Sequence, residues 1–367
     1  LLYLHKKYQE LWIGEFNMAF ISFQPHDHFD CPTWTGSDST TTISGMAFKP
    51  DSLWITGYEG GDHPVINNSS EGTGQSWSPS GNNANNTTVK VASYTSDGFT
   101  LTGNIADTND ASNLYVGACW KANGGTTASN SDGSITSTVQ ANTTAGVSVL
   151  QWTGTGANGT IGHGLGVAPK LVITKSTATA DRGLMLNMGK TFVADPETDQ
   201  IQFAGTGDFD DDADAWNDTA PTSSVISIGS KSLGNASSQA CIAYAFAEVK
   251  GFSKLGFYSG TGNIAGTKVY CGFRPKWVLI KGYSSAGENW LSKASGLTGY
   301  GLGGQRTRSM GWNSSYRATN STIQFESNGF RCATTEASVN QENTKYIYMA
   351  FAEMPMVGSN GIIALAT

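Results

Sequence analysis

The chain has 367 residues, 45 of them glycine, with 14% charged residues and a formal net charge of −7. That composition excludes a mainly helical body. It also argues against general nucleic-acid binding, which needs a cationic surface to displace counterions. No run of about 18 apolar residues occurs, so no membrane insertion is expected.

Residues 1–33 read as a leader and attachment segment. Met18 begins Met-Ala-Phe-Ile-Ser-Phe-Gln-Pro25, which looks like an authentic amino terminus. Residues 1–17 are therefore expected to be translated leader outside the natural protein. His26, Asp27, His28 and Asp30 follow. On a strand, His26 and His28 would place both rings on one face, a weak candidate for binding iron or zinc.

A first module is expected over 34–123. It opens with the turn Trp34-Thr35-Gly36 and continues into a strand launched by Pro50 that runs to Thr56. It closes on the apolar strand Tyr115-Val-Gly-Ala-Cys-Trp-Lys-Ala122. Asp97-Gly98 is a hairpin signal ahead of that strand. The Gly/Asn/Ser-rich stretch 123–133 reads as a flexible linker.

The second module, 124–250 with its linker, repeats the same elements. Trp152-Thr153-Gly154 is its turn, Pro169 to Lys175 its proline strand, and Ile242-Ala-Tyr-Ala-Phe-Ala-Glu-Val249 its closing strand. The third, 251–356, has Tyr258-Ser259-Gly260, then Pro275 to Lys281, then Ile347-Tyr-Met-Ala-Phe-Ala-Glu-Met354. Asn328-Gly329 is its hairpin signal. Residues 357–367 form a small-residue tail.

Three units of roughly 100 residues are each large enough to bury a core. Their period is too long for a solenoid. The closing strands alternate large and small residues, Ile242, Tyr244 and Phe246 against Ala243, Ala245 and Ala247. That pattern suits a strand held between two layers. The expected fold is all-β: three tandem antiparallel β-sandwich modules of jelly-roll or lectin-like kind.

Functional candidates are sparse. Five cysteines without C-x-x-C spacing favour neither a disulfide scaffold nor a zinc site. Cys119 and Cys241 fall in closing strands, where a thiol behaves as a small hydrophobe. Asp208, Asp210, Asp212 and Asp214 alternate in one acidic run and offer hard oxygen ligands for calcium. The glycine and terminal glutamate of an EF-hand loop are missing, and a solvated loop is the plainer reading. Gly162-His163-Gly-Leu-Gly166 lacks the Lys-Ser/Thr of a phosphate loop and reads as a turn with a structural histidine.

Trp77, Trp216, Trp290, Trp312, Tyr300 and Tyr316 stand among Asn, Ser and Gly in the variable middles. Aromatics with flanking amides suit sugar rings, so these are the candidate glycan- or receptor-binding residues; core or interface packing is the competing role. Lys293, Arg306, Arg308, Arg317 and Arg331 make the third module cationic against the acidic second, an arrangement that would orient neighbouring domains or subunits. No Ser-His-Asp or Cys-His constellation is present, and no cofactor is expected.

Several segments carry a resemblance. Phe20-Ile-Ser-Phe-Gln-Pro25, Ser96-Asp-Gly-Phe-Thr-Leu101, Asp132-Gly-Ser-Ile-Thr-Ser-Thr-Val139, Ala141-Asn-Thr-Thr-Ala-Gly146 and Gly162-His-Gly-Leu-Gly-Val-Ala-Pro169 resemble a family of repeated β-domain proteins of tailed bacteriophages, especially marine ones. These are described as tail-fibre-like or virion structural proteins. The resemblance spans Met18 to about Pro355. It implies a non-enzymatic virion protein made in the host cytoplasm. Its partners would be other virion proteins, a host surface glycan or protein, and further copies of itself in a homotrimer. A capsid decoration or head-fibre protein and a glycan-cleaving tail enzyme are the rival expectations.

Overall fold

The computed structural model describes residues 23–58, 62–80, 84–111, 113–180, 183–188, 195–203, 205–284, 288–297, 309–312, 317–318, 323–353, 356–357 and 363–364. The expectation for residues 1–17 lies outside them, as do Tyr300, Arg306, Arg308 and Tyr316.

The protein is all-β. Its strands are short and lie in antiparallel sheets, joined by turns and single helical turns. Each repeated paragraph forms one large sheet and one small one. The pairs are five strands with three in the first module, eight with two in the second, and six with three in the third. At the centre of every large sheet the closing strand pairs with the proline strand. These pairs are Leu114–Trp120 with Ser52–Gly57, Ala240–Phe246 with Leu171–Ser176, and Lys345–Ala352 with Pro275–Gly282. The strand carrying the opening turn lies on the other side: Thr33–Thr35, Val147–Thr153 and Ser253–Ser259.

A hydrophobic cluster fills the space between the two sheets of each module. Leu53, Ile55, Phe99, Leu101 and Cys119 belong to the first. Leu150, Val172, Ile161, Ile226 and Ala243 belong to the second, and Val278, Ile280, Val269, Phe330 and Ala350 to the third. Strand alternation explains this, since every second side chain points to the small sheet.

The other face of each large sheet is equally apolar, and the largest cluster of the protein lies there. It draws Trp54, Val116 and Trp120 from the first module, Ile173, Tyr244 and Phe246 from the second, and Trp277, Met349 and Phe351 from the third. In the second module's closing strand the large residues Ile242, Tyr244 and Phe246 face this shared core. The alanines between them face the sandwich interior. The modules are thus not independent beads.

Trp120, Phe246 and Phe351 hold the same place in the three closing strands, opposite Ser52, Leu171 and Trp277. Their ring centroids form a triangle of 5.7, 5.2 and 6.0 Å sides. Equivalent residues in mutual contact mark a pseudo-threefold axis through one chain. Trp54 packs beside that triangle, 5.0 Å from Trp120, 6.2 Å from Phe246 and 6.2 Å from Trp277, with the edge-to-face geometry that aromatic quadrupoles favour.

Polar bonds brace the seams. Asn68 Nδ2 donates to Tyr244 Oη at 3.0 Å, Lys276 pairs with Asp30 at 2.5 Å, and Glu248 takes both Lys170 and Lys254 at 3.3 and 2.7 Å. The stretch expected to be a flexible linker is pinned as well. Asp51 Oδ2 accepts from the backbone N–H of Ala122 and Gly124, and Ala128–Asn130 pairs as a strand with Ser137–Asn142. Its Gly/Asn content serves tight turns rather than freedom.

Candidate functional site

The turn Trp/Tyr-x-Gly and a buried asparagine make the same construction three times. Asn109, Asn235 and Asn340 end the single helical turns Ala106–Asn109, Ser232–Asn235 and Ala337–Asn340, and each is fully buried. The side-chain oxygen accepts from the backbone N–H after the turn glycine: Ser37 at 3.2 Å, Thr155 at 3.0 Å, Thr261 at 3.0 Å. The side-chain amide donates to the carbonyls of Ser39, Ala157 and Asn263 at 2.6, 2.9 and 3.0 Å. It donates also to Thr102, Gly229 and Thr334 at 3.3, 2.8 and 2.6 Å.

The glycine is demanded by the same contact. A Cβ on Gly36, Gly154 or Gly260 would lie 2.0, 2.2 or 2.1 Å from a backbone carbonyl oxygen beside the asparagine. The aromatic of the turn completes the latch. Trp34 Nε1 donates to Thr108 O at 3.0 Å and Tyr258 Oη to Val339 O at 2.6 Å, while Trp152 Nε1 reaches Asn235 Oδ1 at 3.4 Å. Each latch ties the start of a module to the entrance of its closing strand. The asparagines went unread in the sequence, although each sits seven residues ahead of Val116, Ile242 and Ile347.

The aromatics picked for sugar binding are core residues. Trp77, Trp290 and Trp312 belong to the shared cluster and Trp216 to the interior of the second module, with exposures of 2%, 2%, 0% and 0%. Trp77 and Trp290 pack on Phe203 at 5.5 and 4.9 Å, and Trp312 lies 5.5 Å from Trp54. No sugar reaches these four rings in the folded chain.

The acidic run does not converge. Asp210 and Asp211 form a short strand on Gln200 and Asp199. Asp212 pairs with Lys231 and also accepts from Asp214 N at 3.0 Å, capping the turn Ala213–Trp216. Asp214 accepts from Ser230 Oγ at 2.9 Å. His26 and His28 flank Asp27 in a 3-10 turn that begins at Pro25, not in a strand, so their rings diverge. His26 meets Asp27 at the surface, at 3.2 Å. His28 stacks on Phe23 with centroids 4.8 Å apart and meets Asn142 at 3.0 Å. Burial and the nearby Lys121 hold its pKa down. Among the described residues no group of three or more His, Cys, Asp or Glu is placed to hold a metal.

Other titratable groups are withdrawn into the interior. All five cysteines are free and buried, and burial pushes the thiols of Cys271 and Cys332 up to about 12. Lys293, expected in a cationic patch, is 5% exposed, and burial brings its pKa down to about 8. Lys281 is fully buried at the seam of the second and third modules. It donates to Thr206 O at 3.2 Å and Glu288 O at 2.6 Å. His163 is fully buried, meets Thr222 O at 3.2 Å and accepts from Leu165 N at 3.1 Å, a structural role.

A family model described as a domain of unknown function (DUF7483) matches residues 24–355. The chain belongs to that family. The DUF7483 match takes in all three modules and the latches and axis that join them. No curated protein and no solved structure matches. No helix among the described residues is long and apolar enough to cross a membrane.

Proposed function

We propose that this DUF7483 chain is a structural protein of a phage particle, serving as a tail fibre or similar appendage that adheres to a host surface glycan or protein. The observation that carries the reading is the sealed threefold core. Three large sheets spend their apolar faces on one another, and the five thiols and the indoles of Trp77, Trp216, Trp290 and Trp312 lie inside. Among the described residues the three small sheets and their turns stand outside that core, a scaffold suited to display. The segments resembling tailed-phage β-domain proteins support the same assignment.

Of the expected attachment segment, Phe29 and Cys31 are buried in the shared core and Asp30 pairs with Lys276; in this reading the residues ahead of Pro25 dock to other virion proteins, and copies of the chain act together so that weak contacts add. A homotrimer of 38.7 kDa chains is the proposed assembly, and light scattering of the purified protein measures it. The test of function is competition. Purified protein added to host cells should block adsorption of the parent phage in a dose-dependent way, and full adsorption at saturating protein would refute the assignment. Capsids that lose heat resistance without the protein would point to shell decoration instead. Reducing ends released from host polysaccharide would point to an enzyme.

A further inference from the structure

The small sheet of the third module differs from its counterparts on its outer face. Its strands run Thr267–Tyr270, Gly329–Cys332 and Ile323–Glu326, in that order across the sheet. Val269, Phe330 and Phe325 turn inward to the module core. Alternation then places Lys268, Arg331 and Gln324 in one outward row, and Tyr270, Gly329 and Glu326 in the next. Glu326 is held by Lys268 at 2.8 Å and Arg331 at 2.9 Å.

The first module provides an internal control, because its small sheet pairs the corresponding residues alike, with a bulge only beyond them between Val91 and Ser93. Thr42, Thr100 and Ser93 stand where Lys268, Arg331 and Gln324 stand, and Thr95 stands in place of Glu326. That face is a set of hydroxyls, with Thr42 and Thr100 bonded to each other at 3.1 Å. Sheet packing alone is satisfied by Ser and Thr there. The third module's charged and aromatic set has therefore been added to a frame that does not need it.

Tyr270 is 65% exposed and Ile264, in the neighbouring turn, 73%. Between Tyr270 and Glu326 the row holds only Gly329, where a Cβ would lie 1.9 Å from Val269 O. A backbone contact thus keeps the centre of the row bare. The result is a shallow strip with Tyr270 at one end of the row and Glu326 at the other, flanked by Arg331 and by Lys268 of Tyr270's own strand, which reaches across to Glu326. Two cations against one carboxylate leave this strip net positive on a chain whose net charge is −7.

We propose that this strip binds an acidic saccharide, one bearing a carboxylate. The C–H face of the sugar ring stacks on Tyr270 and its carboxylate meets Lys268 and Arg331. Glu326 aligns both cations and accepts from ring hydroxyls, and Gln324 supplies a further amide. The open, flat shape fits a sugar ring, whereas an acidic peptide needs no ring platform. This site deepens the adhesion reading and rests on it.

The probe is a galacturonate hexamer, with a neutral glucose hexamer as control, titrated calorimetrically into the full chain. The acidic hexamer should bind and the neutral one should bind at least tenfold more weakly. Tyr270→Ala and Arg331→Gln should each weaken binding by about tenfold or more, while Tyr270→Phe keeps the ring and the affinity. Tyr270 is exposed, so its variants fold, and circular dichroism verifies that. Equal binding of both hexamers, or binding of polyglutamate that is indifferent to Tyr270→Ala, would overturn the proposal. Tyr270→Ala that still blocks phage adsorption as wild type does would sink this site and leave adhesion standing. Wild-type protein that binds the hexamer but fails to compete would do the reverse.

Discussion

Replacing Asn340 with aspartate changes one atom of a latch and nothing of its shape. The native amide nitrogen donates to Asn263 O at 3.0 Å and Thr334 O at 2.6 Å in a fully buried position. Aspartate sets a carboxylate oxygen against both carbonyls. Two hydrogen bonds of about 1–1.5 kcal/mol each are lost, and a buried charge is left without a partner on that side, so about 4 kcal/mol should disappear at pH 7. Protonation relieves the clash, because a neutral carboxyl can donate to one of the two carbonyls. The folded pKa of the new group therefore lies above its unfolded value of about 3.9. The penalty is smallest below that value and grows by about 1.4 kcal/mol per pH unit up to the folded pKa. Urea titrations followed by tryptophan fluorescence at pH 4 and pH 7 read this directly. About half of the lost stability should return at pH 4. The aspartate variants of Asn109 and Asn235 should behave alike. A loss below about 1 kcal/mol, or equal losses at both pH values, would refute the latch as the shared device of the three modules.

Trp120→Ala empties one corner of the axial triangle and should cost about 3–5 kcal/mol in the same titration, with an unchanged denaturant slope; a cost under about 1 kcal/mol would contradict a packed axis. The five buried thiols should ignore Ellman's reagent in the native protein and react fully in denaturant, since burial blocks access and also raises the pKa of Cys31, Cys119, Cys271 and Cys332; rapid labelling of the native chain would contradict that. Burial lowers the Lys281 pKa to about 8, with Asp208 and Glu288 pulling the other way. Above about pH 8 the unfolded chain therefore holds more protons than the folded one, and this group adds stability as pH rises towards about 10. Lys281→Met should flatten the measured slope of stability between pH 8 and 9.5 relative to wild type, and an identical slope would place the ammonium in solvent.

The sequence displayed the frame of the fold better than its interior. Strand-launching prolines and alternating closing strands are local signals, and all three copies of each form the elements they announced; the expected turns do not, because Trp34-Thr35, Trp152-Thr153 and Tyr258-Ser259 lie in strands and only the glycine stands beyond them. Strand period 2 also separated Ile242, Tyr244 and Phe246 from the alanines between them. What the large face touches is not local. It meets the other two modules, and no periodicity records a contact across more than 100 residues. The same gap misdirected the reading of Trp77, Trp216, Trp290 and Trp312. Their Asn, Ser and Gly neighbours look like a wet binding loop, yet the indoles themselves pack in a core. The buried asparagines were hidden for a related reason: single asparagines are common in turns, and only three-dimensional superposition shows them making one set of bonds. On the third module, Lys268, Tyr270, Gln324 and Glu326 became conspicuous only when register placed them opposite the hydroxyl face of the first.

Differential scanning calorimetry of the intact chain addresses the shared axis most directly. A core drawn from all three modules makes them one cooperative unit. The account predicts a single endotherm whose van't Hoff enthalpy equals its calorimetric enthalpy. Separate transitions, or a calorimetric enthalpy near three times the van't Hoff value, would show modules that melt alone and would contradict it.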